Sequence, residues 1–170
     1  GTNHQYMLFF TQKGKCFWMR VYEIPEGSKN SKGRAIQNLI NIEQDDKVKA
    51  FICTQDLKDE DYINSHYVIM ATKMGQVKKT SLEQYSRPRS NGINAITIKD
   101  NDELLEAKLT NGSSQIMLAV KSGKAIRFEE SKTRPMGRNA SGVRGIRLKD
   151  KSDEVIGMVS VKDMDENILV

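Results

Sequence analysis

The sequence has few of the residues on which disulfides, metal sites and membrane spans depend. It has two cysteines, Cys16 and Cys53, which lie far apart in apolar stretches. This favours reduced core cysteines over a disulfide and indicates a cytoplasmic setting. The two histidines have no cysteine, histidine or acidic partner at metal-ligand spacing, so we expect no metal site. No apolar run approaches the roughly 20 residues of a membrane helix, and no signal segment opens the chain, so we expect a soluble protein.

Aromatic residues and helical periodicity are also scarce. Aromatics make up 6% of the chain and mostly lie inside strand patterns. A propeller-type scaffold for protein partners stays open as a function, but it would need exposed aromatic anchors. An enzyme would need catalytic groups that converge at one site, and the sequence shows no such set. We therefore expect no catalytic residue in this chain.

What the chain does have is an internal repeat. Three stretches each combine an apolar run, a glycine turn and a second run of apolar and basic residues: YMLFFTQKGKCFWMRVYEIP from Tyr6, YVIMATKMGQVKKTSLEQYSRP from Tyr67 and QIMLAVKSGKAIRFEESKTRP from Gln115. The turn glycines are Gly14, Gly75 and Gly123. Glycine supplies the positive φ of a tight turn, and β-branched and aromatic residues suit strands, so each stretch predicts a β-hairpin.

Each hairpin is followed by a second recurring pattern. A Ser/Gly element begins at Ser31, Ser90 and Ser141, and an acidic pair then precedes another apolar run. The acidic pairs are Asp45-Asp46, Asp102-Glu103 and Asp153-Glu154. Paired carboxylates can serve acid–base catalysis. Because these pairs recur just ahead of a strand in every copy, turn formation is the better interpretation.

The spacing of the copies predicts the fold class. Units of about 50 residues with about four strands each indicate propeller-like blades, since one small sheet cannot bury its own faces. We predict an all-β, propeller-like fragment of one repeat domain, with about three four-stranded antiparallel blades in an open arc. The units span 6–54, 67–110 and 115–162, and 165–170 is the truncated start of another.

Positive charge is concentrated in the third copy. The whole chain has a net charge of +5, and from Lys121 to Asp150 nine basic residues face three acidic ones, a local charge of +6. Charge of this kind favours a polyanion, nucleic acid first, although a solvated basic face explains it equally well.

Basic residues recur at matched places in the copies, which predicts a curved basic rim for the DNA backbone. Lysines that protect strand edges from aggregation are the alternative interpretation. The second hairpin arms hold Lys15, Arg20, Lys78, Lys79, Lys124 and Arg127. The connections hold Lys29, Lys32, Arg34, Arg87, Arg89, Arg134, Arg138, Arg144 and Arg147.

The segment MGRNASGVRGIRL, residues 136–148, has two glycines at the spacing of a phosphate-binding loop of nucleotide enzymes. That loop requires Gly-Lys-Ser/Thr after the spacer and a helix behind it, whereas Val143 and Arg144 follow Gly142 and a strand pattern continues. The segment is instead the third copy of a blade connection. Its arginines are candidates for backbone phosphates of DNA.

Three long strings carry a family resemblance over essentially the whole chain. KCFWMRVYEIPEGSKNSKGRAIQNLINIEQDDKV, VKKTSLEQYSRPRSNGI and IRFEESKTRPMGRNASGVRGIRL resemble the C-terminal domain of the bacterial DNA gyrase A subunit. The resemblance implies a β-pinwheel, a six-bladed disc whose blades exchange strands and whose basic rim wraps duplex DNA with little sequence preference. By this resemblance, the basic rim of the family corresponds to the lysine and arginine positions named above.

The resemblance also implies the setting of the domain. The parent would be a type II topoisomerase that introduces negative supercoils, assembled with gyrase B as an A2B2 holoenzyme in the bacterial cytoplasm, at the nucleoid. ATP and magnesium would serve the rest of that holoenzyme, and no cofactor is expected in this fragment. The catalytic tyrosine belongs to an N-terminal domain that these residues do not include. The family's signature box, Gln-Arg/Lys-Arg-Gly-Gly-Lys-Gly, is absent here, so the corresponding domain of topoisomerase IV stays open as an alternative.

Overall fold

The fold is built almost entirely from strands in the part of the chain that the computed structural model describes, residues 4–24, 26–27 and 39–161. In chain order the strands are β1 (Tyr6–Thr11), β2 (Lys15–Arg20), β3 (Val48–Thr54), β4 (Tyr67–Thr72), β5 (Gln76–Ser81), β6 (Ile93–Asn94), β7 (Leu104–Thr110), β8 (Gln115–Val120), β9 (Ala125–Glu129), β10 (Val143–Arg144) and β11 (Val155–Val161).

Each repeat contributes an antiparallel hairpin and one further strand. The hairpins are β1–β2, β4–β5 and β8–β9, and their turn glycines Gly14, Gly75 and Gly123 have φ of +92°, +96° and +100°. Side chains are disfavoured at such φ values, which explains the recurring glycine. The third strands β3, β7 and β11 pair antiparallel with the other edge of β1, β4 and β8.

The fourth strand of a sheet comes from the next repeat. The short strand β6 pairs with β2, and β10 pairs with β5, so the first two sheets have the orders β3-β1-β2-β6 and β10-β5-β4-β7. The third sheet has three strands among the described residues, in the order β11-β8-β9. The predicted all-β, antiparallel architecture is confirmed, and the first two sheets exchange strands as the resemblance implies.

The helical elements are short. Single 3-10 turns follow the three hairpins at Val21–Glu23, Leu82–Tyr85 and Glu130–Lys132. The helix α1 (Glu60–Ser65) lies between the first and second repeats, and the Asp59 side chain caps it by accepting from the backbone N–H groups of Asp61 and Tyr62. Sequence periodicity did not predict α1, although Asp59 is a typical N-cap residue. No helix in the described part is long and apolar enough to span a membrane.

The three sheets stack in chain order, with the second in the middle. Successive residues of a strand face opposite sides, so each sheet has two faces. Buried apolar side chains fill both interfaces: Leu8, Phe10, Val68 and Met70 lie between the first and second sheets, and Ile69, Ala71, Ile116 and Leu118 lie between the second and third. Strand β7 contacts both β3 and β11. The sheets therefore converge at the edges formed by β3, β7 and β11, and β6 and β10 lie at the opposite, outer edges.

One aspartate of each acidic pair fastens a hairpin turn. Asp46 Oδ1 accepts from the backbone N–H of Lys13 at 3.0 Å, and Asp102 and Asp153 accept in the same way from Met74 and Ser122, both at 2.9 Å. These hydrogen bonds tie each hairpin turn to the start of the third strand of its sheet. The interpretation of the acidic pairs as turn formers is confirmed.

The two cysteines occupy different environments. Neither Cys16 nor Cys53 is in a disulfide. Cys16 is buried between the first two sheets, and burial raises the pKa of its thiol well above the usual value. Cys53 is exposed, which corrects the prediction that both cysteines lie in a core. The reason is its register: Cys53 pairs with Met7, so it lies on the face of the first sheet that no other sheet covers within the described chain.

Candidate nucleic-acid interface

The outer edges of the first two sheets carry the connections that hold most of the predicted arginines. Tyr85 O accepts from Trp18 Nε1 at 2.9 Å, and β6 then pairs with β2. The intervening residues 86–92, which include Arg87 and Arg89, therefore run along the outer edge of the first sheet. In the second sheet, Met136 N donates to Lys79 O at 2.7 Å, and β10 then pairs with β5.

Most of the predicted cations at these edges are exposed. The exposed members of the predicted set are Lys15, Arg87, Arg89, Lys124, Arg127, Arg134, Arg144 and Arg147, and Arg20 and Arg138 are half-buried. Lys29, Lys32 and Arg34 lie outside the described residues. Lys15 stands opposite Asn94 in the first sheet, and Arg144 stands opposite Gln76 in the second. Each of these cross-strand pairs thus holds one cation, on β2 in the first sheet and on the exchanged strand β10 in the second.

The exposed arginines differ in their access to a ligand. Arg87 is engaged with Glu83, with Nη1 at 2.8 Å from Oε1. Within the described ranges, no carboxylate lies at ion-pair distance from the guanidinium groups of Arg89, Arg134, Arg144 or Arg147. A guanidinium group of this kind can bind a phosphate with two parallel hydrogen bonds. These four arginines are therefore the strongest candidates for phosphate contacts.

Arg20 and Arg89 come together in one cleft. They line a cavity of about 210 Å³ whose wall also includes Trp18 and Pro88. The Arg20 guanidinium lies 5.1 Å from the centre of the Tyr6 ring, a distance that fits a cation–π contact. The cleft places two cations where the connection from the second repeat crosses the first sheet.

Lys78 does not face solvent. Its ammonium group is buried and donates to three carbonyl oxygens, at 2.6 Å from Ala95 O, 3.1 Å from Gly137 O and 2.7 Å from Arg138 O. Burial, followed by the nearby charge of Arg138, lowers the pKa of Lys78 to about 7. Because an ammonium group has three donors, these contacts use all of them. The placement does not support the prediction that Lys78 contacts DNA, and it assigns Lys78 to holding two connections together.

Lys79 is buried in a second polar cluster, between the second and third sheets. Its Nζ lies 3.7 Å from Glu130 Oε1, donates to Glu130 O at 3.1 Å and lies 4.3 Å from the centre of the Tyr67 ring. The Glu130 carboxylate also accepts from Thr110 Oγ1 at 2.7 Å and from Ser114 N at 2.8 Å. The charge of Lys79 is paired with that of Glu130, and hydrogen-bonding groups surround the pair. Lys79, like Lys78, is therefore not available to a phosphate.

Arg138 has an intermediate position. Its Nη1 donates to Asn94 O at 3.0 Å, and its own carbonyl accepts from Lys78. Asn94 Nδ2 in turn donates to Asn139 Oδ1 at 3.0 Å, so the connections of the second and third repeats are joined directly. The two asparagines were not predicted as site residues, because neither has a charge or a periodic position that would single it out.

Three exposed lysines around the third repeat extend the positive surface beyond the predicted set. They are Lys121, Lys132 and Lys149. Lys121 and Lys149 line a cavity of about 220 Å³ with Asp150 and Asp153, so acidic residues partly offset their charge. They belong to the basic segment of the sequence, and Lys121 and Lys149 have lysine counterparts in the second repeat, Lys73 and Lys99.

Known proteins with similar sequences include components of DNA gyrase. The family profile described as DNA gyrase C-terminal domain, beta-propeller, matches residues 5–55, 66–111 and 115–162. The chain is 42% identical over 156 residues to the DNA gyrase A subunit of Salmonella typhimurium, covering 92% of this chain and 17% of that protein. It is 40% identical over 170 residues to the DNA gyrase A subunit of Staphylococcus epidermidis, covering 99% and 18%. The chain thus spans less than a fifth of the length of these curated relatives.

Solved structures share the fold. The C-terminal domain of DNA topoisomerase IV superposes with a TM-score of 0.82 at 29% identity, covering 96% of this chain and 49% of the other. The C-terminal domain of DNA gyrase A superposes with a TM-score of 0.74 at 22% identity, covering 95% and 50%. The profile matches well over half of the residues, and the resemblance inferred from the sequence is confirmed. The chain belongs to the DNA gyrase C-terminal domain, beta-propeller, family.

Proposed function

We propose that the chain is a DNA-binding module of a DNA gyrase A protein and that it bends duplex DNA around the outer edges of its sheets. The observation that carries this proposal is a set of exposed arginines on the two connections that have no carboxylate partner among the described residues: Arg89, Arg134, Arg144 and Arg147. The similarity to the two gyrase A relatives supports the assignment. Lys78 and Lys79 are left out of the proposed contact set because their ammonium groups are buried.

The proposed contacts are to the DNA backbone. Arginines on loops and two-residue strands present charge along a curve, and the described residues offer no long helix for the major groove. Binding of this type releases counterions and depends on how easily the duplex bends, so little sequence preference is expected.

Within a longer gyrase A protein, the module would supply wrapping and the other domains would supply chemistry. In the wrapped DNA, two duplex segments would cross with positive handedness at the DNA-cleaving core. Passage of one segment through the other would then introduce negative supercoils. The proposed assembly is an A2B2 complex with gyrase B in the bacterial cytoplasm, at the nucleoid, in which ATP and magnesium serve the other parts. This chain is proposed to have no catalytic step of its own.

The equivalent domain of topoisomerase IV is the second candidate. The observation that favours it is the TM-score of 0.82, at 29% identity, to a topoisomerase IV C-terminal domain. We favour gyrase because the curated relatives named above are gyrase A proteins at 40% and 42% identity.

A salt titration of DNA binding tests the proposal. We expect the chain to bind a fluorescent duplex of arbitrary sequence, with log K falling linearly as log salt rises. Duplexes of unrelated sequence should bind within a few-fold of one another. Absence of binding at low salt, or affinity independent of salt, would contradict the proposal. Supercoils trapped when a nicked plasmid is sealed in the presence of the chain would report wrapping separately from binding.

A charge reversal locates the interface. The double variant Arg144→Glu with Arg147→Glu should weaken binding and lower the salt slope by about 2, because each lost phosphate contact removes about 1. Lys47→Glu with Lys151→Glu is the matched control. Both lysines are exposed and precede the inner strands β3 and β11, and the pair changes the net charge equally. Equal weakening by the two double variants would show that binding follows net charge alone and would remove these arginines from the interface.

A further inference from the structure

The hairpin turns of the three sheets lie side by side. Gln12 O, at the first turn, accepts from Leu104 N of β7 at 3.0 Å, and Lys73 O, at the second turn, accepts from Val155 N of β11 at 2.8 Å. Strands β7 and β11 begin beside the turns of their own sheets, the second and the third. All three turns therefore lie at one end of the molecule.

Two connections cross this end on their way from the outer edge to the inner strands. Residues 97–100 follow β6 and pass the first turn, and residues 143–150 begin with β10 and pass the second turn. The contacts are close, because a Cβ on Gly14 or Gly75 would stand 2.4 or 2.8 Å from a carbonyl oxygen of the crossing connection. We call the three turns and these two crossing segments the turn end.

A lysine recurs in the two crossing segments. Lys99 and Lys149 precede by three and four residues the aspartates that fasten the second and third turns, Asp102 and Asp153. Both lysines are exposed, and no carboxylate of the described residues lies at ion-pair distance from either ammonium group. Lys99 lies between the first and second turns, inside the stack, so its exposure does not depend on where the stack ends.

The crossing segments carry more exposed positive than negative charge. Their exposed cations are Lys99, Arg144, Arg147 and Lys149, and their exposed acids are Asp100 and Asp150. Asp150 is engaged in its own turn, since its Oδ1 accepts from Ser152 N at 2.9 Å. The two arginines belong to the proposed phosphate contacts, so the lysines continue that surface from the outer edge over the turn end.

The opposite end of the sheets is acidic. It consists of the 3-10 turns after the first two hairpins and of residues 55–66, which include α1. Leu82 N donates to His66 O at 2.9 Å and so ties the end of α1 to the second sheet. The exposed acids at this end are Glu23, Asp59, Glu60 and Asp61, and the one exposed cation among its described residues is Lys58.

The acidic segment borders the connection that carries Arg89. Asp56 and Lys58 line a cavity of about 130 Å³ together with Ser86 and Pro88 of that connection. Groups that share a cavity of this size lie within about 10 Å of one another, which is the Debye length at 0.1 M salt, so solvent ions do not screen the segment from the outer edge. A duplex on the outer edge is therefore attracted at the turn end and repelled at the opposite end.

We propose that duplex DNA lies toward the turn end of the outer edges, where Lys99 and Lys149 bind its backbone, and that the acidic segment 56–61 repels it from the opposite end. The inference rests on the proposed DNA binding and adds two contact residues and a boundary to it. Lysine binds a phosphate as a point charge, which suits a contact without base preference. Because the lysine recurs, a duplex that follows the outer edges meets it at successive crossing segments.

Lysine footprinting by mass spectrometry tests the position of the DNA. The chain is acetylated alone and with a saturating duplex at low salt, and the reactivity of each lysine is compared. Lys99 and Lys149 should react several-fold more slowly in the complex. Lys58 at the opposite end and Lys47 beside the inner strand β3, which are also exposed, should react as in the free chain and serve as internal controls.

The footprint separates this inference from the proposed function. Protection of Lys58 as strong as that of Lys99, or unprotected Lys99 and Lys149 in a chain that binds the duplex, would overturn the placement at the turn end while DNA binding itself stands. A chain that binds no duplex would contradict the proposed function and this inference with it.

Neutralising the two lysines measures their contribution. Lys99→Gln with Lys149→Gln should lower the salt slope of binding by about 2, because each lost phosphate contact removes about 1. Lys47→Gln with Lys151→Gln is the matched control, since both lysines are exposed, precede the inner strands and change the net charge equally. The control should keep the slope of the unsubstituted chain. An equal loss of slope in the two double variants would overturn the assignment of Lys99 and Lys149.

Neutralising the acidic segment should act in the opposite direction. Glu60→Gln with Asp61→Asn should raise the affinity for the duplex several-fold at low salt, because repulsion beside the outer edge is removed. Asp59 is kept, since it caps α1. Glu106→Gln with Glu154→Gln makes the same change of net charge on the inner strands β7 and β11 and should raise the affinity less. Equal effects of the two pairs, or no rise with Glu60→Gln and Asp61→Asn, would overturn the role of the segment as a boundary.

Discussion

Lys78 and Lys79 lie next to each other in β5, point to opposite faces and link the second repeat to its surroundings. Lys78 binds carbonyls of two different connections, Ala95 in the second repeat and Gly137 in the third. Lys79 pairs with Glu130 of the third repeat. A buried ammonium group stays in place only when its donors are used. Both connections must therefore be in place before the second sheet is complete.

An orphaned oxygen in the second repeat offers a test at the residue scale. Asp102 Oδ2 is buried and has no hydrogen-bond partner among the described residues, whereas the equivalent oxygen of Asp153 accepts from Ser122 Oγ at 2.8 Å. Met74 holds the position of Ser122. We expect Met74→Ser to stabilise the protein by about 1 kcal/mol, because a buried acceptor gains a donor. The measurement is the free energy of unfolding from urea titration.

Met74→Ala is the control for this prediction. It removes the same side chain, which is 41% exposed, but supplies no hydroxyl. Met74→Ala should leave the stability unchanged or slightly lower, so the difference between the two variants isolates the hydrogen bond. If alanine and serine give the same free energy of unfolding, the Oδ2 atom does not gain a partner from position 74.

For individual residues, the sequence shows which side chains carry charge, but it did not predict which of these side chains are exposed. The arginines of the connections, such as Arg134 and Arg144, are exposed as a basic rim requires. Strand β5 reads QVKKTS and buries four consecutive residues, Val77 to Thr80. Because β5 is largely polar and is buried on both faces, its sequence shows no alternation of apolar and polar residues. Hydrophobic patterning therefore cannot show that Lys78 is inside, because its burial depends on carbonyls 17 to 60 residues away.

Among the elements, the exchanged strands connect neighbouring repeats. Strands β6 and β10 have two residues each, too few to hold by pairing alone. Close approach of the backbone at the turn glycines completes the contact: Ala95 N donates to Gly14 O at 2.7 Å, and Gly145 N donates to Gly75 O at 2.8 Å. The glycine at the hairpin turn thus serves both the turn and the incoming segment.

A pair of glycine substitutions separates these two roles. Gly123→Ala adds a methyl group in open space at φ of +100°, and should cost about 1 kcal/mol from the disfavoured backbone alone. Gly75→Ala has a similar φ, but its Cβ would stand 2.8 Å from Ile146 O. We expect its cost to exceed that of Gly123→Ala by about 1–3 kcal/mol, because the exchanged segment must move. Unfolding by denaturant at low protein concentration measures both.

Gly137→Ala is the control, since its φ is not positive and no atom of the described residues lies within 4 Å of the added Cβ. It should be nearly neutral. Equal costs for Gly75→Ala and Gly123→Ala would show that the close approach of the exchanged segment contributes nothing beyond the turn.

The elements divide into those that a local pattern determines and those that distant contacts determine. The hairpins were predictable, because in all three copies an apolar run, a turn glycine and a run of apolar and basic residues follow one another. The pairing of β6 with β2 was not predictable from local pattern, since a two-residue strand has no periodicity and its partner lies about 80 residues earlier. The helix α1 escaped prediction because six residues are too few for a helical repeat to emerge.

For the whole molecule, the order of the sheets implies an order of stability. In a stacked array, each unit is stabilised mainly by its neighbours. The second sheet has neighbours on both faces, and Val68, Ile69, Met70 and Ala71 of β4 are fully buried. The first and third sheets each have one face without a neighbouring sheet within the described chain, and on the first sheet that face is covered in part by Ile40 and its neighbours. Loss of either terminal sheet leaves the other interface in place, so partial opening from the ends should cost less than opening the middle.

Native-state hydrogen exchange tests this order. We expect the amides of β4 to exchange slowest, through global unfolding, and those of β9 to exchange fastest among the hairpin strands, because β9 has a free edge and a half-exposed pattern. The β1–β2 hairpin, with one covered face and with β6 on its outer edge, should fall between them. Comparison with the same amides in low denaturant is the control, because only exchange through unfolding accelerates there. If β9 were protected as strongly as β4, the three sheets would unfold as one cooperative unit and stability would not follow the coverage of their faces.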